Sequence, residues 1–192
     1  MFANKIRNIL TSREQKTVLA SDAPLKPAAI LLPLFKKGNK YHLLFTKRTE
    51  TVEYHKGQIC FPGGAQDTSD TDPEQTALRE TYEEIGVRPE DVKILGMLDK
   101  MGTITSNFLI TPFVGIIPYP YEFRINKDEI EELIEIPLSV LADKKYYRED
   151  TYVIDGVART GSIFEYRGKI IWGATARILK QFIDLTYERN EN

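Results

Sequence analysis

Apolar residues recur at helical spacing near the start of the chain, where Ile6, Ile9 and Leu10 predict a short amphipathic helix ahead of a polar, proline-containing segment over residues 21–27. The period then changes. Residues 28–35 and 40–47 are apolar and aromatic runs on either side of Lys37-Gly38-Asn39, the pattern of a β-hairpin. A second strand-rich region covers residues 93–117. Residues 152–172 carry the turn dipeptides Asp155-Gly156 and Arg167-Gly168 between β-branched and aromatic residues, which predicts further hairpins. After Trp172, the residues Ala174, Ile178, Phe182 and Leu185 return to helical spacing and predict a closing amphipathic helix. Strands interrupted by one helix and closed by another predict an α/β fold with helices packed on a mixed sheet. Residues 1–27 read as an N-terminal helix and lead-in, and residues 28–192 as the main domain.

The interrupting helix has clear ends. In Asp72-Pro73-Glu74-Gln75, Asp72 suits the cap, Pro73 the first turn and Gln75 the reaching position of a capping box, while Gly86 supplies the stop. At about 100° per residue, Glu83 and Glu84 fall roughly 60° and 40° to either side of Glu80, so three carboxylates share one face. Leu78, Tyr82 and Ile85 fall opposite and are expected to anchor the helix in a core. Neighbouring carboxylates repel, and Glu83 and Glu84 sit near a helix C-terminus that favours cations. A divalent cation reverses both penalties, and oxygen-only ligands suit Mg²⁺ or Mn²⁺. The alternative is a solvated acidic face in which Arg79 pairs with Glu83 at i+4. Upstream, Phe61-Pro62-Gly63-Gly64 predicts a tight turn whose backbone, at Gly63 in particular, is free to approach a ligand closely.

Composition narrows the choice. With 192 residues, 42% hydrophobic, the chain fits one compact domain, and 26 basic against 28 acidic side chains leave a net charge of -2, which argues against nucleic acid as partner. The average conceals a segregation: residues 36–56 hold six basic and two acidic groups, and residues 61–92 hold two basic and nine acidic. The first segment suits an anionic small-molecule substrate and the second the cations that assist its hydrolysis. One cysteine, Cys60, forms no internal disulfide and is expected to pack, so a reducing, cytoplasmic compartment is the expectation. Nothing reads as a signal peptide, and the longest apolar stretch, residues 108–121, is cut by Pro112 and Pro118, so no membrane partner is expected. Neither G-x-S-x-G nor G-x4-G-K-[ST] occurs, which sets aside covalent hydrolase and P-loop readings. Oligomeric state is not legible.

The run Gly64…Arg79-Glu80-Thr81-Tyr82-Glu83-Glu84-Ile85-Gly86-Val87 resembles the signature of the Nudix hydrolases, G-x5-E-x7-R-E-U-x-E-E-x-G-U, with U bulky and apolar. It departs in two places: Asp70 stands for the first Glu, one residue further from Arg79, and Thr81 replaces a bulkier residue. The extra residue is similar to the coenzyme A pyrophosphatase branch, whose upstream motif L-L-T-x-R-[SA]-x3-R-x3-G-x3-F-P-G-G is matched by Leu44-Phe45-Thr46-Lys47-Arg48-Thr49, Gly57 and Phe61-Pro62-Gly63-Gly64. Thr49 stands there for Ser or Ala, and Glu53 for Arg. Ile171-Trp172-Gly173-Ala174-Thr175-Ala176 and Thr111-Pro112-Phe113-Val114 also look like that branch.

The resemblance implies an α/β/α sandwich with a loop-helix-loop catalytic box and metal-dependent hydrolysis of a nucleoside diphosphate linked to another group. For this branch the substrate is coenzyme A or its thioesters, giving 3′,5′-ADP and 4′-phosphopantetheine or its acylated form. Glu80, Glu83 and Glu84 are then the metal ligands, with the Gly64 carbonyl completing the set, and Arg79 orients the glutamates. The general base is Glu80 or Glu129, the latter within an acidic run, residues 128–132, that otherwise reads as a solvated helix or loop face. Arg48, Lys47 and Lys56 are candidates for the substrate phosphates. His55 is a weaker candidate, and His42, in an alternating strand, reads as structural. The competing readings are a Nudix pyrophosphatase for ADP-ribose or a dinucleotide, and a non-catalytic nucleotide-binding module.

Overall fold

The computed structural model describes residues 2–19, 24–50, 56–154 and 156–187; Glu53, His55, Asp155 and residues 21–23, singled out above, lie outside them. In chain order the elements are α1 (Phe2–Thr11), β1 (Thr17–Val18), β2 (Lys26–Lys37), β3 (Lys40–Arg48), β4 (Ile59–Cys60), β5 (Gly63–Ala65) and α2 (Pro73–Ile85). There follow β6 (Lys93–Met97), β7 (Lys100–Gly102), β8 (Phe108–Ile116), β9 (Ile130–Pro137) and α3 (Leu138–Leu141). The chain closes with β10 (Tyr147–Ile154), β11 (Val157–Tyr166), β12 (Lys169–Ile171) and α4 (Gly173–Thr186).

Among the described residues the strands make a nine-stranded mixed sheet and a three-stranded antiparallel sheet, β10-β11-β12. β2 is the spine of the larger one. It runs parallel to β8 from Lys26 to Leu34, but pairs with β3 only from Leu34 onward, where Gly38-Asn39 makes the predicted hairpin turn. Below that point β3 departs to pair with β9 and β4, and the freed edge of β2 takes β5 instead, with Ala29 opposite Gly64. This divergence brings the Gly63-Gly64 backbone beside the spine.

Side chains alternate across a strand, and here both faces are covered. Leu32, Leu34, Leu43 and Phe45 pack with Ile6 and Leu10 of α1 and with Ile178, Leu179 and Phe182 of α4. On the other face Ala29 and Leu31 pack with Ala77 of α2, and Phe35 and Leu44 with Ile85 and Val87. The architecture is the α/β/α sandwich that the resemblance implied. Burial on both faces is why β2 reads as a continuous apolar run without alternation.

One expectation fails. The acidic run is neither a helix nor a solvated loop face throughout: a turn at residues 127–129 feeds directly into β9, which pairs with β3 along His42 to Arg48. Ile130, Ile134 and Ile136 are buried at even spacing, but intervening glutamates hide the strand period.

Candidate active site

The helix that carries the carboxylates starts and stops where its sequence dictates. Asp72 Oδ1 accepts from the Gln75 N–H at 2.9 Å, and Gln75 Oε1 accepts in return from the Thr71 N–H at 2.7 Å. Gly86, at φ 73°, ends α2 in the left-handed conformation, donating its N–H to the Tyr82 carbonyl.

Its buried face differs from the predicted one. Thr76, Ala77, Thr81, Glu84 and Ile85 point inward, whereas Tyr82 is 53% exposed and Leu78 only half-buried. Small side chains let α2 lie close to β2 and β5, and Thr81 satisfies its own hydroxyl by donating to the Ala77 carbonyl at 2.6 Å. A bulkier residue at 81 is unnecessary where the helix approaches so closely. The inward face therefore includes a carboxylate: Glu84 is 2% exposed. Glu80 lies at the boundary, and the Glu83 side chain is 52% exposed.

Arg79 organises this helix face. Its Nε and Nη2 grip Asp70 Oδ1 and Oδ2 at 2.9 Å each, Nη1 donates to Glu80 Oε1 at 2.8 Å and Glu83 Oε2 at 3.0 Å, and Nη2 also reaches the Ala65 carbonyl at 3.2 Å. All five guanidinium N–H groups are thereby used. Asp70 is itself buried and accepts from the Thr76 hydroxyl and the Asp67 N–H, and the Arg79 guanidinium holds its carboxyl well below the usual carboxylate range. The displaced acidic position of the family signature is thus the anchor of Arg79. Sequence reasoning left it without a role.

Arg48 behaves differently. From the end of β3 its Nη1 donates to Glu84 Oε1 at 3.1 Å and its Nη2 lies 3.7 Å from Glu129 Oε2, while its buried Nε has no hydrogen-bond partner among the described residues. The Gly63 N–H donates to the second Glu84 oxygen at 3.3 Å. Despite both partners, burial pushes the Glu84 carboxyl up to about 8, reinforced by the like charges of Glu80 and Glu129. Burial likewise raises Glu80 against the pull of Arg79. Glu129 is delivered from outside the helix by a segment docked on the end of α2, where the Asn126 N–H donates to the Glu84 carbonyl and Asn126 Nδ2 to Glu129 Oε1 at 3.2 Å. Asn126 is a positioning residue that sequence reasoning missed. Its only signal was an Asn-x-Asp turn ahead of the acidic run.

The glycine turn is as tight as expected. A Cβ on Gly64 would lie 2.4 Å from Glu80 Oε2, and one on Gly63, at φ 146°, would strike the Ala29 carbonyl at 2.4 Å. Arg48, Gly63, Gly64, Glu80, Glu84 and Glu129 thus gather around the C-terminal part of α2. Lys47 does not join them: successive strand residues point to opposite faces, and its Nζ pairs with Glu131 at 2.9 Å. With Lys56 it lines a separate open groove of about 390 Å³. His42 stacks on Phe35, away from the carboxylates. The Cys60 thiol is pushed up to about 12 by burial.

The donor set fits a hard divalent cation. It is all oxygen, it includes a buried carboxylate that is costly to ionise alone, and the Gly64 backbone is held where only hydrogen leaves room for Glu80. Among the described residues no three His, Cys, Asp or Glu side chains converge closely enough to hold a metal as they stand; the carboxylates are drawn onto Arg79 and Arg48.

A carboxylate-lined helix following a Gly-Gly turn on a sandwiched mixed sheet defines a class of phosphoanhydride hydrolases. Residues 24–155 match the NUDIX domain family; the chain belongs to it and is a Nudix hydrolase. It is similar to the uncharacterised Nudix hydrolase NudL of Pectobacterium atrosepticum, 37% identical over 159 residues, which cover 81% of this chain and 80% of that protein. It is also similar to the peroxisomal coenzyme A diphosphatase NUDT7 of Mus musculus, 33% identical over 139 residues, covering 72% of this chain and 58% of that protein. Among solved structures, the MutT protein from Methanosarcina mazei Go1 has a TM-score of 0.56 at 14% identity, covering 90% of this chain and 100% of that one. A Nudix hydrolase from Alicyclobacillus acidocaldarius has a TM-score of 0.54 at 19% identity, covering 88% and 96%. These two establish a shared fold. Nudix hydrolases generally use divalent cations, and no helix among the described residues is long and apolar enough to cross a membrane.

Proposed function

We propose that this Nudix hydrolase cleaves the pyrophosphate bond of coenzyme A or its thioesters, with Mg²⁺ or Mn²⁺ as the cation, in the reducing environment of the cytoplasm. The observation that carries the reading is the meeting of Arg48, the arginine of the coenzyme A-type upstream motif, with Glu84 and Glu129 beside the Gly63 N–H. The coenzyme A diphosphatase among the relatives supports the same substrate.

Water attacks one phosphorus of the anhydride, the bridging P–O bond breaks, and the products are 3′,5′-ADP and 4′-phosphopantetheine or its acylated form. Glu80, Glu83, Glu84 and the Gly64 carbonyl would hold the divalent cation, which when bound would supply neutralisation of the anhydride oxygens and a lowered pKa of water. The chain's own groups supply the rest. Arg79, with every donor engaged, positions Glu80 and Glu83 and does not contact substrate. Arg48, whose Nη2 is held only at 3.7 Å by Glu129, faces the anionic substrate. Glu129 Oε takes the proton of the attacking water, being held by Asn126 and only distantly by Arg48, whereas Glu80 is tied to Arg79 and is the poorer base.

The test is incubation of the purified protein with Mg²⁺ or Mn²⁺ and a panel of nucleotide derivatives, with chromatographic identification of products. Release of 3′,5′-ADP from coenzyme A is the expected result. Intact coenzyme A alongside cleaved ADP-ribose or dinucleotide overturns the substrate.

A further inference from the structure

The open groove that takes Lys47 and Lys56 away from the carboxylates is bounded on its other side by β12 and the start of α4, through Gly168, Lys169, Ile170 and Trp172. Its lining joins exposed apolar side chains to lysines. Ile170 and Trp172 alternate with buried Ile171, and so stand on the same outward face, 45% and 52% exposed. Two large apolar side chains held in water beside lysines mark a binding surface for something both flat and anionic. Lys47 and Lys169 are partly spoken for, by Glu131 and Glu132 respectively, and the Glu50 carboxylate lies against Gly57. Lys56, exposed on the turn that forms one lip, makes no ion pair among the described residues. The groove also borders the reaction site in the chain: the Arg48 N–H donates to the carbonyl of Gln58, a groove residue, at 3.0 Å.

We propose that this groove is a subsite for a phosphorylated nucleoside, the base stacking on Trp172 and a phosphate monoester pairing with Lys56, flanked by Lys47 and Lys169. Resting on the coenzyme A reading above, the ligand is the 3′-phosphoadenosine end of the substrate. The pantetheine arm, an uncharged chain of amides, needs neither cations nor a stacking platform. An indole face accepts any purine, so stacking supplies affinity and the lysines supply the preference for an extra phosphate.

Trp172 is the chain's single tryptophan, so intrinsic tryptophan fluorescence reports on the groove alone. The metal-free protein is titrated with adenosine 3′,5′-bisphosphate, adenosine 5′-monophosphate and 4′-phosphopantetheine. Saturable quenching by the bisphosphate, about tenfold tighter than by the monophosphate as one charge-assisted contact allows, is the expected result. Lys56→Ala, at an exposed turn position where folding is not at stake, is expected to abolish that preference. No saturable quenching by the bisphosphate, a preference that survives Lys56→Ala, or stronger quenching by phosphopantetheine overturns the proposal. The two readings fail separately. Coenzyme A cleaved without quenching removes the subsite and keeps the substrate; bisphosphate quenching with its Lys56 dependence, but no coenzyme A hydrolysis, keeps the nucleoside subsite and removes the substrate.

Discussion

Two arginines face the same carboxylate cluster, and they are in opposite states. Arg79 has all five N–H groups bonded and a buried partner, Asp70, that accepts from two further donors. Arg48 reaches Glu84 by one nitrogen and Glu129 at longer range, and keeps a buried Nε without a partner among the described residues. Both arginines lie in the family motifs, so motif membership does not separate them. Saturation does: Arg79 has its hydrogen bonds complete, whereas Arg48 keeps a buried donor unpaired among the described residues, and an unsatisfied buried donor costs about 1–3 kcal/mol. The glutamates divide likewise, Glu83 sharing Arg79 in solvent while Glu84 is buried and hard to ionise.

The largest effect is expected where the unfinished half is removed. Glu84→Gln should lower cation-dependent turnover by at least about a hundredfold, since even the outer partners of metal ligands cost about 10–100-fold, while thermal unfolding of the metal-free protein is not lowered. Glu83→Gln should lose less, and equal losses in steady-state assays would erase the division between buried and exposed carboxylates. Next comes Gly64→Ala. Its methyl meets the carboxylate tip of the Glu80 side chain first, so Glu80 moves and turnover falls about 10–100-fold, the scale for an ångström of misplacement. Gly63→Ala instead drives a methyl into the Ala29 and Ile30 backbone, which cannot move aside. It should lower the melting temperature, and a variant that melts like the parent would show that the turn is not rigid.

Much of this was written in local chemistry. The caps of α2, the hairpin at Gly38-Asn39 and the outer sandwich helices depend on side chains within a few residues of each other, and they were legible. The strand β9 was not, because Glu131, Glu132 and Glu135 interrupt Ile130, Ile134 and Ile136, and their tolerance depends on the edge at which β9 lies. The meeting of Arg48 with Glu84 and Glu129 was legible only as a set of candidates. Separations of 36 and 81 positions are closed by the divergence of β3 from β2, which no local pattern encodes. Lys47 is separated from Arg48 because the alternation of strand side chains sends it to the opposite face, where it lines the open groove.

The finished half is tested by pH. Asp70→Asn leaves Arg79 without its main partner and should cost about 2–3 kcal/mol in denaturant unfolding at neutral pH. Folding favours the ionised form of Asp70. Its contribution is therefore complete above the ordinary aspartate range, near about 3.9, and is lost as pH falls below that toward its lower folded value. The gap between parent and variant should accordingly narrow on acidification. A gap that stays constant from pH 7 to pH 3 would mean that Asp70 acts through packing and not through its charge.

The smallest effect is expected at Tyr82, and it decides which face of α2 holds the helix down. Tyr82 sits on the arc that helical spacing assigns to a core, at a position that the family signature leaves free, yet it is exposed, while Thr81 and Glu84 on either side of it are buried. Tyr82→Ser removes a large ring from water-facing surface and should change unfolding free energy by no more than about 0.5 kcal/mol. Ile85→Ala, one turn-face away and packed with Phe35, Leu44, Val87 and Ile117, should cost about 2–5 kcal/mol. If Tyr82→Ser proved as damaging as Ile85→Ala, the helix would be rotated toward its large apolar side. Glu84 would then turn out to solvent, and the contrast between a completed Arg79 and an open Arg48 would go with it.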